Sequence, residues 1–372
     1  MADLVTDRRR VKLLHGGDIY SAQEQLSLME NPPDILDFSA NINPLGLPEG
    51  VKQAITKSVD TYSAYPDPLC RELIANLSNF ERVPGPWLLC GNGAADIIYR
   101  LVYAKKPNKA MVLAPTFAEY EEALKAISCQ TLHYELQAEK AFRIDEEFLD
   151  ALQLEQDIDM LFLCNPNNPT GQLIPKEMIF KILERCKAWD ILCVLDECFN
   201  DFLEEPEKYT AKDYLEEFDN LIIIKAFTKI YAMAGLRLGH CISSNEKLLN
   251  ALIKAGQPWS VSIVAQTAGI QAMKEKEYLI RTKELICEER KYLIRSLESL
   301  GIRVIASTVN YIFIRWPFNK KNPLHEMLFE KGILIRNCEN YYGLSQGYYR
   351  ICIKEHEDNM VLIDALSRVE KQ

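Results

Sequence analysis

Residues 225–239 read KAFTKIYAMAGLRLG, and this stretch decides which fold the chain is predicted to adopt. The run just before it, residues 221–224, is LIII, which is typical of a strand buried in a parallel sheet. We expect Lys229 to lie in a loop directly after this strand, where burial lowers the pKa of its amine. An amine in that state acts as a nucleophile. Arg237 would bring a permanent positive charge to the same cleft. The alternative is a surface loop in which Lys229 and Arg237 are two ordinary solvated cations.

Composition limits the classes of protein to which the chain can belong. With 372 residues, of which 48% are hydrophobic, it is long enough for two domains. Its net charge of −10 argues against a nucleic-acid surface. The eleven cysteines include no C-x-x-C and the five histidines are dispersed, so we predict no metal site. Scattered thiols of this kind are typical of a reduced cytosol. No apolar run approaches the roughly 18 residues of a membrane span. We therefore predict a cytoplasmic protein that binds neither membrane nor nucleic acid.

Short apolar runs alternate with helical patterns through most of the chain. This alternation predicts an α/β fold, with a large domain built on a mainly parallel seven-stranded sheet and a smaller α+β C-terminal domain. A periodic stretch without proline, residues 262–300, predicts long helices that bridge the two. We expect an arm over residues 1–48 that packs with the small domain, the large domain over 49–265 and the small domain over 266–372.

The predicted strands of the large domain are 87–90, 110–114, 130–136, 160–164, 191–195, 221–224 and 237–242, and those of the small domain are 302–306, 311–315, 333–335 and 348–353. The predicted helices are 49–61, one that starts after Pro68, 94–103, 118–127, 176–189, 324–331 and 358–369.

Four motifs follow predicted strands, at the edge of the sheet where open α/β proteins bind ligands. GNGAAD at 91–96 opens a helix and suits an anion, although the same pattern fits a plain strand-to-helix turn. Phe117, in APTF, is placed to cover a flat ring or to fill the core. NPNNPTG at 165–171 predicts a fixed turn. Asp196 ends the run ILCVLD, where an unpaired carboxylate is costly to bury.

In this order, the motifs resemble those of the fold type I pyridoxal-phosphate (PLP) enzymes, the aspartate-aminotransferase superfamily, from about His15 to the C-terminus. The resemblance implies that Lys229 holds the cofactor covalently and that Asp196 pairs with its pyridine nitrogen, which keeps the ring an electron sink. It also implies that Asn168 hydrogen-bonds the phenolic oxygen and that Phe117 stacks on the ring. The residues implied for the cofactor phosphate are Gly93, Ala94, Thr228, Arg237 and, from the partner subunit of a homodimer with composite sites, Tyr65.

Two positions depart from the pattern of this superfamily. Phe199 stands where a tyrosine commonly follows the aspartate by three residues, so one donor to the phenolic oxygen is missing. Ala226 stands where a serine or threonine often precedes the lysine by three, so one phosphate ligand is missing.

Within the superfamily, the chain resembles histidinol-phosphate aminotransferases and, more closely, the related decarboxylases of L-threonine O-3-phosphate. The resemblance lies in HGGDIY at 15–20, DFSANINPLG at 37–46, FAEY at 117–120 and GILIRNCENYYGL at 332–344. Phe199 is also typical of the decarboxylases. The resemblance implies decarboxylation to (R)-1-amino-2-propanol O-2-phosphate, the linker of the cobalamin nucleotide loop. Histidinol-phosphate transamination, serine-phosphate decarboxylation and a non-catalytic binding module are the alternatives.

The same resemblance implies a substrate site for a phosphorylated amino acid. Arg350, in YYRICI, would clamp the α-carboxylate through its planar fork of donors. Arg336 and His15 would bind the substrate phosphate, although His15 also fits as a loop histidine that supports a glycine turn. Asn41 and Asn310 would line the substrate pocket.

Overall fold

The central feature of the computed structural model, which describes residues 16–155, 157–317 and 323–370, is a seven-stranded sheet. The strands are β1 (Leu36–Asp37), β2 (Leu88–Gly91), β3 (Lys109–Ala114), β4 (Gln130–Glu135), β5 (Met160–Cys164), β6 (Leu192–Asp196), β7 (Leu221–Ala226), β8 (Gly239–Ile242), β9 (Arg303–Ala306), β10 (Tyr311–Arg315), β11 (Ile333–Leu334), β12 (Arg336–Asn337) and β13 (Tyr348–Cys352). The helices are α1 (Ile19–Leu26), α2 (Glu49–Lys57), α3 (Arg71–Glu81), α4 (Ala94–Lys105), α5 (Glu119–Ala126), α6 (Glu146–Leu154), α7 (Lys176–Ala188), α8 (Phe227–Ile230), α9 (Glu246–Ala255), α10 (Ile263–Ala272), α11 (Lys276–Ser299), α12 (Leu324–Phe329) and α13 (His356–Glu370).

The large sheet has the strand order β2-β8-β7-β6-β5-β3-β4. Six of these strands run in the same direction, and β8 runs opposite to them. Its strands β5, β6 and β7 are buried along their whole length. Leu161 and Leu163 of β5 pack into one hydrophobic cluster, whereas Met160 and Phe162 pack into a second cluster on the opposite face. Burial of both faces explains why these strands are continuous apolar runs. The predicted α/β fold with a mainly parallel sheet is confirmed.

A second sheet, of order β12-β13-β10-β9, is antiparallel throughout. The strand predicted at 333–335 is β11, which ends at Leu334 and pairs with β1, and a further strand, β12, follows it and pairs with β13. Arg336, expected directly after a strand, therefore begins a strand of its own. The pairing of β1 with β11 joins the N-terminal segment to the C-terminal part of the chain. The domain boundaries at residues 48 and 265 stay a prediction.

The predicted helices are all present, although some of their ends differ. Helix α2 stops at Lys57 instead of Thr61, and a 3-10 turn, Val59–Ser63, follows it. The periodic stretch 262–300 forms two helices, α10 and α11. Helices α1, α6, α8 and α9 were not predicted. Within the described ranges, the chain has no helix with the length and apolarity needed to cross a membrane.

The carboxyl ends of β2, β3, β5, β6 and β7 lie at one edge of the large sheet, because these strands are parallel to one another. The four predicted motifs follow these ends directly. The sheet therefore brings together residues that are up to about 140 positions apart in the chain, at the place where open α/β sheets bind ligands.

Candidate active site

A cavity opens at this edge of the sheet. The predicted residues that line it are Asn41, Ala94, Phe117, Asn168, Asp196, Thr228, Lys229, Arg237 and Arg350. The cavity thus collects most of the side chains expected to bind the cofactor, together with the arginine expected to bind a substrate carboxylate.

Lys229 follows β7, but it lies in the four-residue helix α8 and not in the predicted loop. Burial, the guanidinium of Arg350 and, further, that of Arg237 lower the pKa of its amine to about 8. Lys225, four residues earlier, is held away from the cavity by ion pairs of 3.0 Å with Glu81 and 3.1 Å with Asp201. Lys229 is therefore the lysine of this segment that is available for nucleophilic chemistry.

The start of α4 and Arg237 form an anion-binding corner of the cavity. Gly93 precedes α4 with a φ of 86°, and a Cβ on it would lie 2.7 Å from the guanidinium of Arg237. The glycine is thus required both for the turn and for the approach of Arg237. The first N–H groups of a helix lack intrahelical acceptors, so α4 adds donors to this positive charge. Arg237 itself adopts a left-handed φ of 59°, a strained conformation of a kind found at functional sites.

Asp196 is a buried carboxylate that faces the cavity from the end of β6. Burial raises its pKa, whereas hydrogen bonds from Cys198 and Tyr120 oppose that rise. The Tyr120 hydroxyl donates to one carboxylate oxygen at 2.6 Å, and the backbone N–H of Cys198 donates to the other at 2.9 Å. No cation pairs with Asp196 among the described residues. A protonated pyridine nitrogen would supply the missing positive charge.

The two departures from the superfamily pattern both lie on the wall of the cavity. Phe199 packs edge-on against Tyr311, with ring centroids 5.1 Å apart, and the Tyr311 hydroxyl donates to the backbone of Asn167 at 2.7 Å. This tyrosine therefore does not replace the missing donor. Ala226 presents only a methyl group, so the neighbouring Thr228 is the hydroxyl-bearing residue at this point of the wall.

Arg350 and Arg336 lie directly opposite each other in the antiparallel pair of β13 and β12. Arg350 donates to the side chain of Asn168 and, at 2.7 Å, to the backbone carbonyl of Ser39. Its Nε is buried without a hydrogen-bond partner among the described residues. Arg336 is also buried, but it lines a neighbouring cavity that shares Gly16 with the first. It donates to Asn340 at 2.8 Å.

The remaining predicted residues occupy three different situations. Asn41 lines the cavity, and both atoms of its side-chain amide are buried without a partner in the described part of the chain. Asn310 does not line the cavity and instead donates to the backbone carbonyl of Asn41 at 3.1 Å. Tyr65 is 79% exposed and stacks on Trp259, away from this chain's own cavity. His15 lies outside the described residues.

Sequence reasoning missed several residues of the site. Tyr120 belongs to the FAEY stretch, but only the fold brings its hydroxyl to Asp196. Tyr341, Cys164 and Cys198 line the cavity as well. The thiols lie in or beside apolar strand runs, where a cysteine usually signals only a small core residue.

The fold and this cavity define the class of protein. Residues 33–366 match the family model of aminotransferase class I and II, and the chain belongs to that family. It is an enzyme, and its cofactor is pyridoxal phosphate.

The similar proteins include both branches seen in the sequence. A threonine-phosphate decarboxylase of Salmonella typhimurium is 35% identical over 356 residues, 95% of this chain and 96% of that protein. A histidinol-phosphate aminotransferase of Cupriavidus pinatubonensis is 31% identical over 91% of this chain and 89% of its own length. The solved histidinol-phosphate aminotransferase of Clostridium acetobutylicum has a TM-score of 0.84 and 30% identity, and the match covers 91% of this chain and 99% of that one.

The residues of the cavity fit the cofactor. When bound, PLP supplies an electron sink for the electron pair left on the substrate when a bond to its Cα breaks. The start of α4 and Arg237 would hold its phosphate, Phe117 would cover the ring and Asp196 would hold the pyridine nitrogen. Lys229 carries the amine that would bind it. The raised pKa of the buried Asp196 is the feature that binding of the cofactor would relieve, whereas the unpartnered amide of Asn41 is left to a substrate.

Proposed function

We propose that the chain decarboxylates L-threonine O-3-phosphate, releasing CO2 and leaving (R)-1-amino-2-propanol O-2-phosphate. The observation that carries this proposal is the pairing of Arg336 with Arg350 across β12 and β13. Residues opposite each other in an antiparallel pair have Cα atoms about 4.5–5.5 Å apart and side chains on the same face. Like charges in that arrangement repel, so two buried guanidinium groups favour a ligand with two anionic groups.

The substrate of the proposed reaction has the required pair of anions. Its carboxylate and its phosphate are separated by only a few bonds, and each suits the planar donors of a guanidinium. Ser39 lies between the two arginines, since its carbonyl accepts from Arg350 and it also borders the cavity of Arg336. One ligand could therefore reach both charges past the segment that carries Ser39, which follows β1.

Arg350 would also decide which bond of the substrate breaks. The bond to Cα that stands perpendicular to the cofactor ring is weakened by overlap with its π-system. A decarboxylase must hold the carboxylate in that direction. The hydrogen bonds from Arg350 to Asn168 and Ser39 fix its guanidinium from two sides, so the carboxylate it binds would have a fixed direction as well.

Transamination of histidinol phosphate is the second candidate. The similarity to the enzyme of Clostridium acetobutylicum, at 30% identity, supports it. Histidinol phosphate bears a phosphate but no carboxylate, so Arg350 would serve only the second substrate of that reaction. Threonine phosphate is the amino substrate that would engage both buried arginines at once, which is why we propose it first. Serine phosphate differs by one methyl group, a difference worth about 1–3 kcal/mol, and is the closest competitor.

We further propose a homodimer in which each cavity is completed by Tyr65 of the partner. Tyr65 is exposed, and so is the face around it, which includes Leu69 and Trp259. A Tyr65→Phe variant and a Lys229→Ala variant, mixed as subunits, should regain part of the activity that each lacks alone. Sedimentation that finds only monomers at micromolar concentration would refute this arrangement.

The proposed reaction is tested by supplying the PLP-loaded enzyme with three substrates in parallel. With threonine phosphate we expect CO2 and aminopropanol phosphate, and with serine phosphate a slower release of CO2. With histidinol phosphate and 2-oxoglutarate we expect no glutamate. Lys229→Ala is the control for all three. Glutamate formation without CO2 release would instead establish the aminotransferase alternative.

A further inference from the structure

Residues 338–347 form a loop between β12 and β13 that leaves the small sheet and contacts the edge of the large one. Tyr341 in this loop lines the main cavity. The next residue, Tyr342, is 53% exposed, and its ring stacks on His133 of β4 with centroids 3.9 Å apart and planes only 7° from parallel. The loop thus connects the strands that carry the two arginines to the last strand of the large sheet.

His133 also lies beside a pair of charged residues of the large domain. Its Nε2 lies 3.2 Å from the carboxylate of Glu121 in the first turn of α5, and the same carboxylate pairs with Lys125 at 3.0 Å. The imidazole therefore has a carboxylate beside its Nε2, which makes no hydrogen bond among the described residues, and a phenol ring over one of its faces.

The loop also contacts the end of β3. Gly343 adopts a φ of 79° and comes close enough to Ala114 that an added Cβ would be in van der Waals contact with it. Ala114 directly precedes the segment that carries Phe117. The loop therefore touches the large sheet at two strands, β4 and β3, next to the wall of the cavity.

On its inner side the loop holds the second arginine. The guanidinium of Arg336 lies 5.1 Å from the ring centroid of Tyr341, and it donates to the side chain of Asn340. Tyr341 and Asn340 thus position Arg336, and they are the two residues that precede Tyr342 in the chain. Release of Tyr342 from His133 would free these neighbours as well.

We propose that His133 and Tyr342 form a latch that docks the 338–347 loop on the large sheet and thereby positions Tyr341, Asn340 and Arg336. They act through the loop and are positioning residues. The effect on substrate rests on the proposed function, because it assumes that Arg336 binds the substrate phosphate. Docking of the loop does not depend on that assumption.

Hydrogen exchange of the PLP-loaded enzyme tests the docking directly. The amides of Tyr341 and Leu344 donate to Cys338 and Tyr341 within the loop, so their exchange reports its opening. A stacked aromatic pair contributes enough that Tyr342→Ala and His133→Ala should each speed this exchange about 2- to 10-fold. The double variant should be no faster than either single one, because both remove the same contact. Tyr342→Phe keeps the ring, so its loop should exchange like that of the parent. Peptides from β10 should exchange at the same rate in every variant.

Kinetics then tests the effect on substrate. Tyr342→Ala should raise the KM for threonine phosphate by a smaller factor than the exchange rate, because KM follows the inverse of the docked fraction whereas exchange follows the undocked fraction. Its kcat and PLP affinity should stay close to those of the parent. His133→Phe keeps an aromatic ring under Tyr342, so its KM should stay closer to that of the parent than the KM of His133→Ala does.

The outcomes separate the two hypotheses. Unchanged exchange in Tyr342→Ala, or additive effects in the double variant, would overturn the latch. Exchange that shows a mostly undocked loop in Tyr342→Ala, together with an unchanged KM, would overturn its role in positioning the substrate site. If the parent enzyme does not act on threonine phosphate at all, the proposed function fails, while the exchange measurements still decide whether the latch exists.

Discussion

Glu81 is a buried residue outside the cavity whose replacement should lower the stability of the fold. It is 2% exposed, at the end of α3, and its two oxygens contact three basic groups. One oxygen lies 3.0 Å from Lys225 and 3.2 Å from His240, and the other lies 2.7 Å from Lys212. Lys225 belongs to the strand that leads to Lys229. We therefore expect Glu81→Gln to destabilise the part of the sheet that carries the active-site lysine.

The contacts of Lys225 set the size of this effect. Removal of one member of a buried ion pair costs about 3–5 kcal/mol, because the other charge stays buried and uncompensated. Lys225 would keep its ion pair with Asp201, so the cost should fall near the lower limit, about 3 kcal/mol. An exposed pair contributes at most about 1 kcal/mol. Glu205, 56% exposed at its side chain and 2.6 Å from Lys208, is the matched control.

Urea denaturation of Glu81→Gln, Glu205→Gln and the parent, all loaded with PLP, measures the difference. Burial alone would raise the pKa of Glu81, but Lys225 and His240 hold it well below its ordinary value of 4.5. A carboxyl group with a depressed pKa stabilises the fold above its ordinary pKa and loses that effect as the pH falls through the lowered value. The difference in free energy of unfolding between the parent and Glu81→Gln should therefore be complete at pH 7 and should shrink in acid below about pH 4.5. A loss of under about 1 kcal/mol at pH 7, equal to that of Glu205→Gln, would refute the reasoning.

Three further predictions concern the cavity. Lys229→Ala should abolish turnover and the visible absorbance of bound cofactor while the far-UV circular dichroism stays unchanged; borohydride-trappable labelling that persists in the variant would contradict the assignment. Because the pKa of Lys229 is lowered to about 8, the rate at which apoenzyme captures PLP should rise with pH up to about 8 and level off above it, whereas an ordinary lysine would keep rising toward 10.5. Arg336→Ala should raise the KM for threonine phosphate about 10- to 150-fold, from the roughly 1.5–3 kcal/mol of a charge-assisted hydrogen bond, and should spare PLP affinity. Arg350→Ala should instead impair binding of phosphorylated and unphosphorylated amino acids alike. Equal affinity of Arg336→Ala and the parent for threonine phosphate would place the phosphate elsewhere.

The sequence by itself determined the strands of the large sheet and the positions of the motifs after them. The run LIII before Lys225 and the run ILCVL before Asp196 are apolar at every position because both faces of the sheet are covered. Such a pattern is local and can be read without the fold. Since parallel strands align their carboxyl ends, it also predicted that Asp196, Asn168 and Lys229 would meet at one edge.

Only the tertiary structure decided which side chains touch. Arg336 and Arg350 are opposite each other because of the register between β12 and β13, and nothing in the residues between them specifies that register. The Tyr120 hydroxyl reaches Asp196 from 76 positions away, and Glu81 reaches His240 from 159. The latch between His133 and Tyr342 likewise joins a strand edge to a distant loop. Hydrophobic periodicity reports which face of an element is buried, whereas contacts of this kind depend on how the elements pack, which no local pattern contains.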